Sequence, residues 1–269
     1  MTQIPLHAQN PTGRFAGRSE AYARWRPDYP VAALDSVLGA EPEGVSLVDL
    51  GAGTGISSRQ LASRGARVIA IEPNPEMCAL ISPTRRLLPV IGKAESIPLR
   101  SGSVRIATAF QAFHWFDAGP ALAEIHRVLV PGGSLALVWN ERDDRDPFTA
   151  AYREIVRAAS GNHPAESRME QLDALERSTL FVAPVLKVFP HEQRLDREGL
   201  LGRMRSTSYL PSEGAAWESL ASEMEALRSK WGDADGFVRL VYETRVWIAK
   251  SRGQGSGARD RDQGSGTRD

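Results

Sequence analysis

The chain has 269 residues, 42% of them hydrophobic and 25% charged, and 33 basic residues balance 33 acidic residues. This length suits one large α/β domain, and the balanced charge gives no support for a nucleic-acid partner, because phosphate-binding proteins usually carry a basic excess. The single cysteine, Cys78, excludes an intrachain disulfide and a cysteine-rich metal site.

The amino-terminal region has no basic segment followed by an apolar run, so no signal peptide is expected. No segment approaches the roughly 20 apolar residues that a transmembrane helix needs, and we therefore expect no membrane partner and a cytoplasmic location. Residues 1–44 are predicted to form a helical lid segment, in which Tyr22 and Trp25 lie three residues apart on one helix.

Apolar strands alternate with amphipathic helices from residue 45 onward. Strands are predicted at 45–50, 66–71, 88–91, 104–110 and 134–139, and helices at 56–64, 75–81 and 120–129. Such alternation indicates crossover connections and a mainly parallel sheet with helices on both faces. We therefore predict an α/β domain of the Rossmann-like type over residues 45–250.

The regular alternation of predicted strands and helices ends after residue 140. Residues 141–180 and 194–232 are predicted to be helical cap insertions, with a strand at 185–192 between them. The alternating segment 237–249 is predicted to be a last, antiparallel strand at the far side of the sheet. Residues 251–269 contain a repeated Gly/Ser/Arg/Asp segment that can bury little apolar surface, so a disordered tail is expected there.

The sharpest motif is Val48-Asp-Leu-Gly-Ala-Gly-Thr-Gly55, which follows a predicted strand and opens a helix. Glycines in this setting let the backbone turn sharply and approach a ligand closely. Glu72 ends the next strand, 21 residues after Gly51, where a carboxylate can accept hydrogen bonds from both hydroxyls of a ribose. Ile56 stands where a dinucleotide fingerprint has its third glycine, so the motif favours a nucleoside ligand over NAD or ATP.

This motif resembles motif I of the class I S-adenosylmethionine-dependent methyltransferases. Segments 72–74, 92–99, 110–116 and 126–133 resemble further blocks of that family and follow in its order. Segment 22–30 resembles the amino-terminal helix of a small-molecule branch that includes trans-aconitate methyltransferase-like and ubiquinone-biosynthesis-like proteins. The resemblance covers roughly residues 14–140, and it implies a Rossmann-like methyltransferase fold with S-adenosyl-L-methionine as cofactor.

The resemblance also implies the cofactor-binding positions, which lie at the carboxyl ends of strands, where ligands of open α/β sheets bind. The methionine part is expected against Gly51, Ala52, Gly53, Asp49 and Gln111, with Asp49 near the ammonium group. The adenosine part is expected against Glu72, Pro73, Met77, Ala94 and Glu95. Tyr22 of the predicted lid is also expected to contact the cofactor.

His114 is the candidate catalytic residue, because it follows the fourth strand beside the expected methyl site. Methyl transfer from a sulfonium requires the acceptor to be held at near-attack distance, and a positioned base adds ~10²–10⁴-fold. The ordinary pKa of a histidine, near 6.5, suits proton transfer at neutral pH. His114 is accordingly interpreted as the base or as a group that orients the acceptor, and the structural alternative is packing against Trp115.

The loop after the fourth strand also bears on the methyl acceptor. It lacks the Asn/Asp-Pro-Pro-Tyr/Phe motif of enzymes that methylate amino groups of nucleic-acid bases, so a small apolar or carboxylated metabolite is favoured, by O- or C-methylation. The competing interpretations are an RNA or protein methyltransferase and a non-catalytic S-adenosylmethionine-binding protein. Asp117, Asn140 and Glu141 follow strand ends without a diagnostic metal-ligand spacing, so no metal site is predicted. The sequence gives no oligomeric state.

Overall fold

A seven-stranded sheet organises the protein. The computed structural model describes residues 19–161 and 172–253. Its strands are β1 (Ser46–Leu50), β2 (Arg67–Glu72), β3 (Leu87–Ile91), β4 (Val104–Phe110), β5 (Leu129–Arg142), β6 (Val185–Leu195) and β7 (Val238–Lys250). The spatial order is β3-β2-β1-β4-β5-β7-β6, with β1 to β5 paired in parallel and β7 antiparallel to both of its neighbours. The predicted fold class is thereby confirmed.

Helices cover both faces of this sheet. They are α1 (Ser19–Trp25), α2 (Val31–Leu38), α3 (Ile56–Ser63), α4 (Pro75–Ala79), α5 (Ala118–Val128), α6 (Pro147–Ala159), α7 (Leu172–Glu176), α8 (Arg197–Arg205) and α9 (Gly214–Trp231). Successive residues of β1 alternate between two hydrophobic clusters, because strand side chains point to opposite faces: Leu47 joins the cluster of α2, and Val48 joins that of α5. Within the described residues, no helix has both the length and the apolar character that crossing a membrane requires.

Strand β7 is antiparallel as predicted, but it does not lie at the far side of the sheet. It pairs with Ser134–Arg142 of β5 on one side and with the whole of β6 on the other, so β6 is the edge strand. The sequence carries a physical reason for this order. Strand β6 contains Pro190, which has no amide hydrogen to donate and is tolerated best at a sheet edge.

Helices α6, α8 and α9 pack over the beginning of β7 and form a third hydrophobic cluster there. Its members include Phe148, Tyr152, Val156, Leu200, Met204, Trp217, Leu220, Met224, Leu240 and Tyr242. Because β7 is antiparallel to β5, its beginning lies at the carboxyl end of β5, and these helices therefore stand at the edge of the sheet where ligands of open α/β sheets bind. The division of the chain into lid, main domain and cap stays a prediction.

The predicted tail begins later than residue 251. The backbone amide of Ser251 donates to the carbonyl of Gly133 at 2.8 Å, and that of Arg252 donates to the carbonyl of Leu180 at 2.9 Å. Both residues therefore belong to the folded part, because their backbones are tied to neighbouring segments. The rest of the predicted tail, residues 254–269, lies outside the described residues, as do residues 1–18 of the predicted lid.

Candidate functional site

The loop after β1 turns on three glycines with left-handed backbone conformations. Gly51, Gly53 and Gly55 have φ angles of 63°, 57° and 80°, a region that glycine enters without a steric penalty. A Cβ on Gly51 would lie 2.7 Å from the Cβ of Ala112, so the loop packs directly against the segment that follows β4. The glycines thus bring the ends of β1 and β4 together at the carboxyl edge of the sheet, the edge at which open α/β sheets generally bind ligands.

The Glu72 carboxylate lies beside this glycine loop. Its Oε2 accepts a hydrogen bond from the amide of Gly53 at 2.8 Å, and its Oε1 accepts one from the amide of Asn74 at 2.9 Å. Burial raises the pKa of the Glu72 carboxyl, and the two backbone amides oppose that rise. Each carboxylate oxygen has two lone pairs, so each has the capacity for one more hydrogen bond, such as a ribose hydroxyl donates.

Asp49 lies beneath the glycine loop. Its side chain is completely buried, and its carboxylate accepts hydrogen bonds from the hydroxyls of Ser57 at 2.7 Å, Ser58 at 2.6 Å and Thr108 at 2.7 Å. Burial raises the pKa of the Asp49 carboxyl, and the three hydroxyls oppose the rise. The hydrogen bonds of Asp49 therefore connect β1 to α3 and to β4. Its expected position near a ligand ammonium stays a prediction.

Tyr22 and Met77 approach the glycine loop from different elements. A Cβ on Gly53 would lie 3.4 Å from the Met77 Cε and 3.8 Å from the Tyr22 Cε1. Met77 is held at the first turn of α4, where its amide donates to the side chain of Asn74 at 3.1 Å. The structure thus brings Gly53, Glu72, Met77 and Tyr22 together, and Pro73 lies in the chain between Glu72 and Asn74.

Ala94 and Glu95 lie in the segment after β3. Ala94 is buried in the cluster of α5, and the Oε1 of Glu95 accepts a hydrogen bond from the amide of Asp117 at 2.9 Å. These contacts hold the segment against the beginning of α5. The expected place of Ala94 and Glu95 at the adenine edge stays a prediction.

Gln111 has a left-handed backbone conformation, which the sequence patterns did not predict. Its φ is 54°, and among the described residues it is the one non-glycine residue with a positive φ. Such conformations are uncommon for residues with a Cβ and concentrate at functional sites. The Gln111 Nε2 donates to the carbonyl of Asn140 at 3.1 Å, which joins the ends of β4 and β5.

The side-chain amide of Asn140 forms two hydrogen bonds within the protein. Its Nδ2 donates to the carbonyl of Asp28 at 2.8 Å, and its Oδ1 accepts from the hydroxyl of Thr244 at 2.6 Å. Glu141 forms an ion pair with Arg245 at 3.1 Å. Asn140 therefore ties the connection between α1 and α2 to the sheet.

His114 lies in a 3-10 turn at Phe113–Trp115, just after β4, and it is 3% exposed. The Trp139 Nε1 donates to the His114 Nδ1 at 3.4 Å. An Nδ1 that accepts this hydrogen bond has no proton, so the neutral ring carries its hydrogen on Nε2. In that tautomer Nε2 is a donor, and protonation of Nδ1 would break the bond to Trp139. The catalytic role of His114 stays a prediction.

Trp25 connects the lid helix α1 to the cap. Its indole fills a notch on α8, because a Cβ on Gly202 would overlap the indole and one on Gly199 would lie 3.1 Å from it. The carbonyl of Trp25 accepts a hydrogen bond from the Nε2 of Gln193 at 2.9 Å. The sequence pattern missed this notch, because glycines within a helix do not indicate which side chain packs on them.

Parts of this chain are similar to known methyltransferases. Residues 48–137 match the family model of the methyltransferase domain. An uncharacterised methyltransferase of Mycobacterium tuberculosis is 43% identical over 146 residues, which cover 53% of this chain and 58% of that protein. The ubiquinone/menaquinone biosynthesis C-methyltransferase of Acidiphilium cryptum is 28% identical over 198 residues, which cover 69% of this chain and 73% of that protein. The chain thus spans 58% of the length of the first curated relatives it matches.

A solved structure shares the fold. A candidate type II methyltransferase of Anaeromyxobacter dehalogenans superposes with a TM-score of 0.62 at 22% identity, over 85% of this chain and 97% of that chain. At this identity the likeness concerns the fold alone. The segment matched by the domain family contains the glycine loop, Glu72, Gln111 and His114.

Proposed function

Because the chain carries a methyltransferase domain with the class I fold, as its motifs predicted, we propose that it transfers the methyl group of S-adenosyl-L-methionine to a small-molecule acceptor. In this reaction the acceptor atom attacks the methyl carbon in line with the sulfur, and the carbon–sulfur bond breaks to release S-adenosylhomocysteine. The leaving group is already good, so the protein mainly has to hold both reactants at near-attack distance.

The hydrogen-bonded pair of Gly53 and Glu72 is the observation that carries the proposal. It sets a buried carboxylate next to a glycine backbone at the ligand-binding edge of the sheet, within reach of Tyr22 and Met77. A ribose diol would donate to Glu72, and each hydrogen bond to a charged group contributes about 1.5–3 kcal/mol. A pyrophosphate would instead require the third glycine that Ile56 replaces.

The other predicted cofactor-binding residues are proposed to contact the adenosine and the methionine parts of the cofactor. The adenosine would extend from Glu72 past Pro73, Met77, Ala94 and Glu95, with Tyr22 over it. The methionine would extend along Gly51 and Ala52, with Gln111 toward the methyl end. Asp49 would act on the ammonium group through the loop that it supports, because its carboxylate is enclosed by three hydroxyls.

His114 is proposed to orient the acceptor through its Nε2. The bond from Trp139 fixes the ring, and an Nε2–H donor suits an acceptor that presents an oxygen. The role as general base is the second candidate, and it requires the His114 ring to give up the bond to Trp139. The two roles differ in their pH dependence, since only a base needs to take up a proton.

A small metabolite methylated at oxygen or carbon is the proposed acceptor class. The C-methyltransferase among the relatives acts in ubiquinone/menaquinone biosynthesis, which supports a small-molecule acceptor and carbon as a target atom. The balanced charge of the chain disfavours RNA as the methyl acceptor, because proteins that bind nucleic-acid phosphates usually carry a basic excess. Methylation of a protein and cofactor binding without turnover are the competing hypotheses.

Calorimetry tests the cofactor first. We expect S-adenosylhomocysteine to bind to the full chain and NAD not to bind, and the reverse would overturn the proposal. A screen of small metabolites with S-adenosyl-L-methionine, read by coupled release of homocysteine, then tests turnover. Methylation of RNA or protein in the absence of any small-molecule activity would support a macromolecular acceptor instead.

A further inference from the structure

Two polar atoms in the cap cluster are buried without a hydrogen-bond partner in the described structure. They are the hydroxyl oxygen of Tyr152 on α6 and the Nε of Arg203 on α8. Tyr152 is completely buried and Arg203 is 3% exposed. Buried polar atoms in proteins are hydrogen-bonded in the large majority, so two such exceptions in one cluster require a physical explanation.

Arg203 is also not neutralised by the residues around it. Its NH1 donates to the hydroxyls of Ser206 at 3.4 Å and Thr207 at 3.2 Å, which are neutral oxygens. The cap carboxylates Glu198 and Glu225 form ion pairs with other arginines. Across residues 19–161 and 172–253, no ion pair includes Arg203, and a buried guanidinium is costly without an anionic partner.

The phenol of Tyr152 does not provide the missing negative charge. Burial raises the pKa of the Tyr152 hydroxyl, although Arg203 and Arg142 act against the rise. The phenol is therefore protonated at neutral pH and is a hydrogen-bond donor. The Arg142 guanidinium lies 5.2 Å from the centre of the Tyr152 ring, which adds a second positive charge to the cluster.

Contacts connect Arg203 to the glycine loop through α1. Ser206 donates its hydroxyl to the carbonyl of Arg203 at 2.6 Å, and its own carbonyl accepts from Arg26 at 2.9 Å. The Arg26 guanidinium stacks on Tyr22 at 4.7 Å, and Tyr22 lies over Gly53. The cluster is thus a few contacts from the glycine loop.

A second connection runs through the sheet. Arg142 ends β5 two residues after Asn140, whose carbonyl accepts the hydrogen bond from Gln111. Tyr242, opposite Arg142 in the sheet, belongs to the same hydrophobic cluster as Tyr152. The cluster is therefore connected, through the carboxyl end of β5, to the segment after β4 that contains Gln111.

We propose that Arg203, Tyr152 and Arg142 bind a carboxylate of the methyl acceptor, which makes the acceptor a small carboxylate metabolite. The inference rests on the proposed function, because it names the acceptor class of the proposed reaction. The Nε and a terminal nitrogen of Arg203 form a planar fork that matches two carboxylate oxygens, and the Tyr152 hydroxyl supplies a third donor. A carboxylate would satisfy both orphaned atoms at once.

The test titrates the full chain, saturated with S-adenosylhomocysteine, with succinate, phenylacetate and cinnamate, and with the primary amide of each as a neutral control. We expect at least one carboxylate to bind at least tenfold more tightly than its amide. Equal binding of acid and amide, or binding of none of the acids, would overturn this inference and leave the cofactor result standing. Failure of S-adenosylhomocysteine itself to bind would overturn the proposed function instead.

Two variants separate ligand binding from packing. Tyr152→Phe removes an oxygen that has no protein partner, so its melting temperature should equal or exceed that of the wild type while carboxylate affinity falls about fivefold. Arg203→Lys keeps the charge but loses the fork, and affinity should fall at least tenfold. Arg205→Lys, on the exposed side of α8 with its guanidinium over Trp217, is the matched control and should bind as the wild type does. A Tyr152→Phe variant with lower stability and unchanged affinity would give the cluster a structural role only.

Discussion

Trp139 on β5 donates its indole hydrogen to the Nδ1 of His114 on the loop after β4. This bond holds the imidazole ring through Nδ1, and in the proposed role Nε2 is the nitrogen that would contact the acceptor. An asparagine has its amide oxygen near the position of Nδ1 and has no group at the position of Nε2. The two contributions of His114 can therefore be removed one at a time.

For His114→Asn we expect turnover to fall roughly 10²-fold, as loss of a positioned donor commonly does, with little change in melting temperature or S-adenosylhomocysteine affinity. His114→Gln, which loses the acceptor for Trp139, should lower the melting temperature as well. Turnover, calorimetry and thermal melts check these outcomes. Full activity of the asparagine variant with an identified acceptor would leave His114 a purely structural residue.

Glu72→Gln should weaken S-adenosylhomocysteine binding at least tenfold. The glutamine has one acceptor oxygen in place of two, and a hydrogen bond to a charged group is worth about 1.5–3 kcal/mol. Because Glu72 also accepts from the amides of Gly53 and Asn74, a modest fall in melting temperature should accompany the loss. Glu76→Gln on the exposed beginning of α4 is the control, and a wild-type affinity for Glu72→Gln would refute the ribose role.

Two glycine variants can separate backbone strain from loss of the site. Gly53 and Gly102 have φ angles of 57° and 60°, so alanine at either position costs about 1–2 kcal/mol of stability. A Cβ on Gly102 would meet nothing within 4 Å, whereas one on Gly53 would contact Met77 and Tyr22. We expect similar losses of stability but a fall in S-adenosylhomocysteine affinity for Gly53→Ala alone. Equal affinities in calorimetry would show that the loop does not contact the cofactor.

The pH dependence of stability tests the burial of Asp49. Burial raises the pKa of its carboxyl in the folded protein above the ordinary 3.8. The carboxyl therefore contributes stability that is fully present below the ordinary pKa and is lost as the pH rises through the folded-state pKa. Asp49→Asn has no such titration, so the stability of the wild type relative to the variant should decrease with rising pH. Urea unfolding of both proteins across this range checks the sign, and a constant difference would contradict it.

Much of the sheet could be predicted because its strands are short apolar runs with glycine-rich turns between them. Strands β1 to β5 and helices α3 to α5 follow from hydrophobic periodicity and from the crossover rule. The pairing of β7 between β5 and β6 could not be predicted, since it depends on contacts between distant segments. Only Pro190 gave a signal that β6 is an edge strand.

The candidate site was predictable where its chemistry lies in one motif, as with the glycine loop and Glu72. Asp49 illustrates the limit. Its three hydroxyl partners come from α3 and β4, and no local pattern indicates that they would enclose the carboxylate. Arg203 is a second example, because a lone arginine in a charged helix gives no sign that it will be buried.

The position of β7 has a consequence for the order in which the sheet can be completed. Among residues 19–161 and 172–253, β7 is the one strand that pairs with β6, yet β6 is synthesised first. Until residues 238–250 have left the ribosome, the native neighbour of β6 is absent, and β5 presents an open edge that other chains could join. The nascent protein therefore passes through a stage at which β1 to β5 can pair while the edge of β5 is still uncovered, and unpaired strand edges of this kind are prone to aggregation.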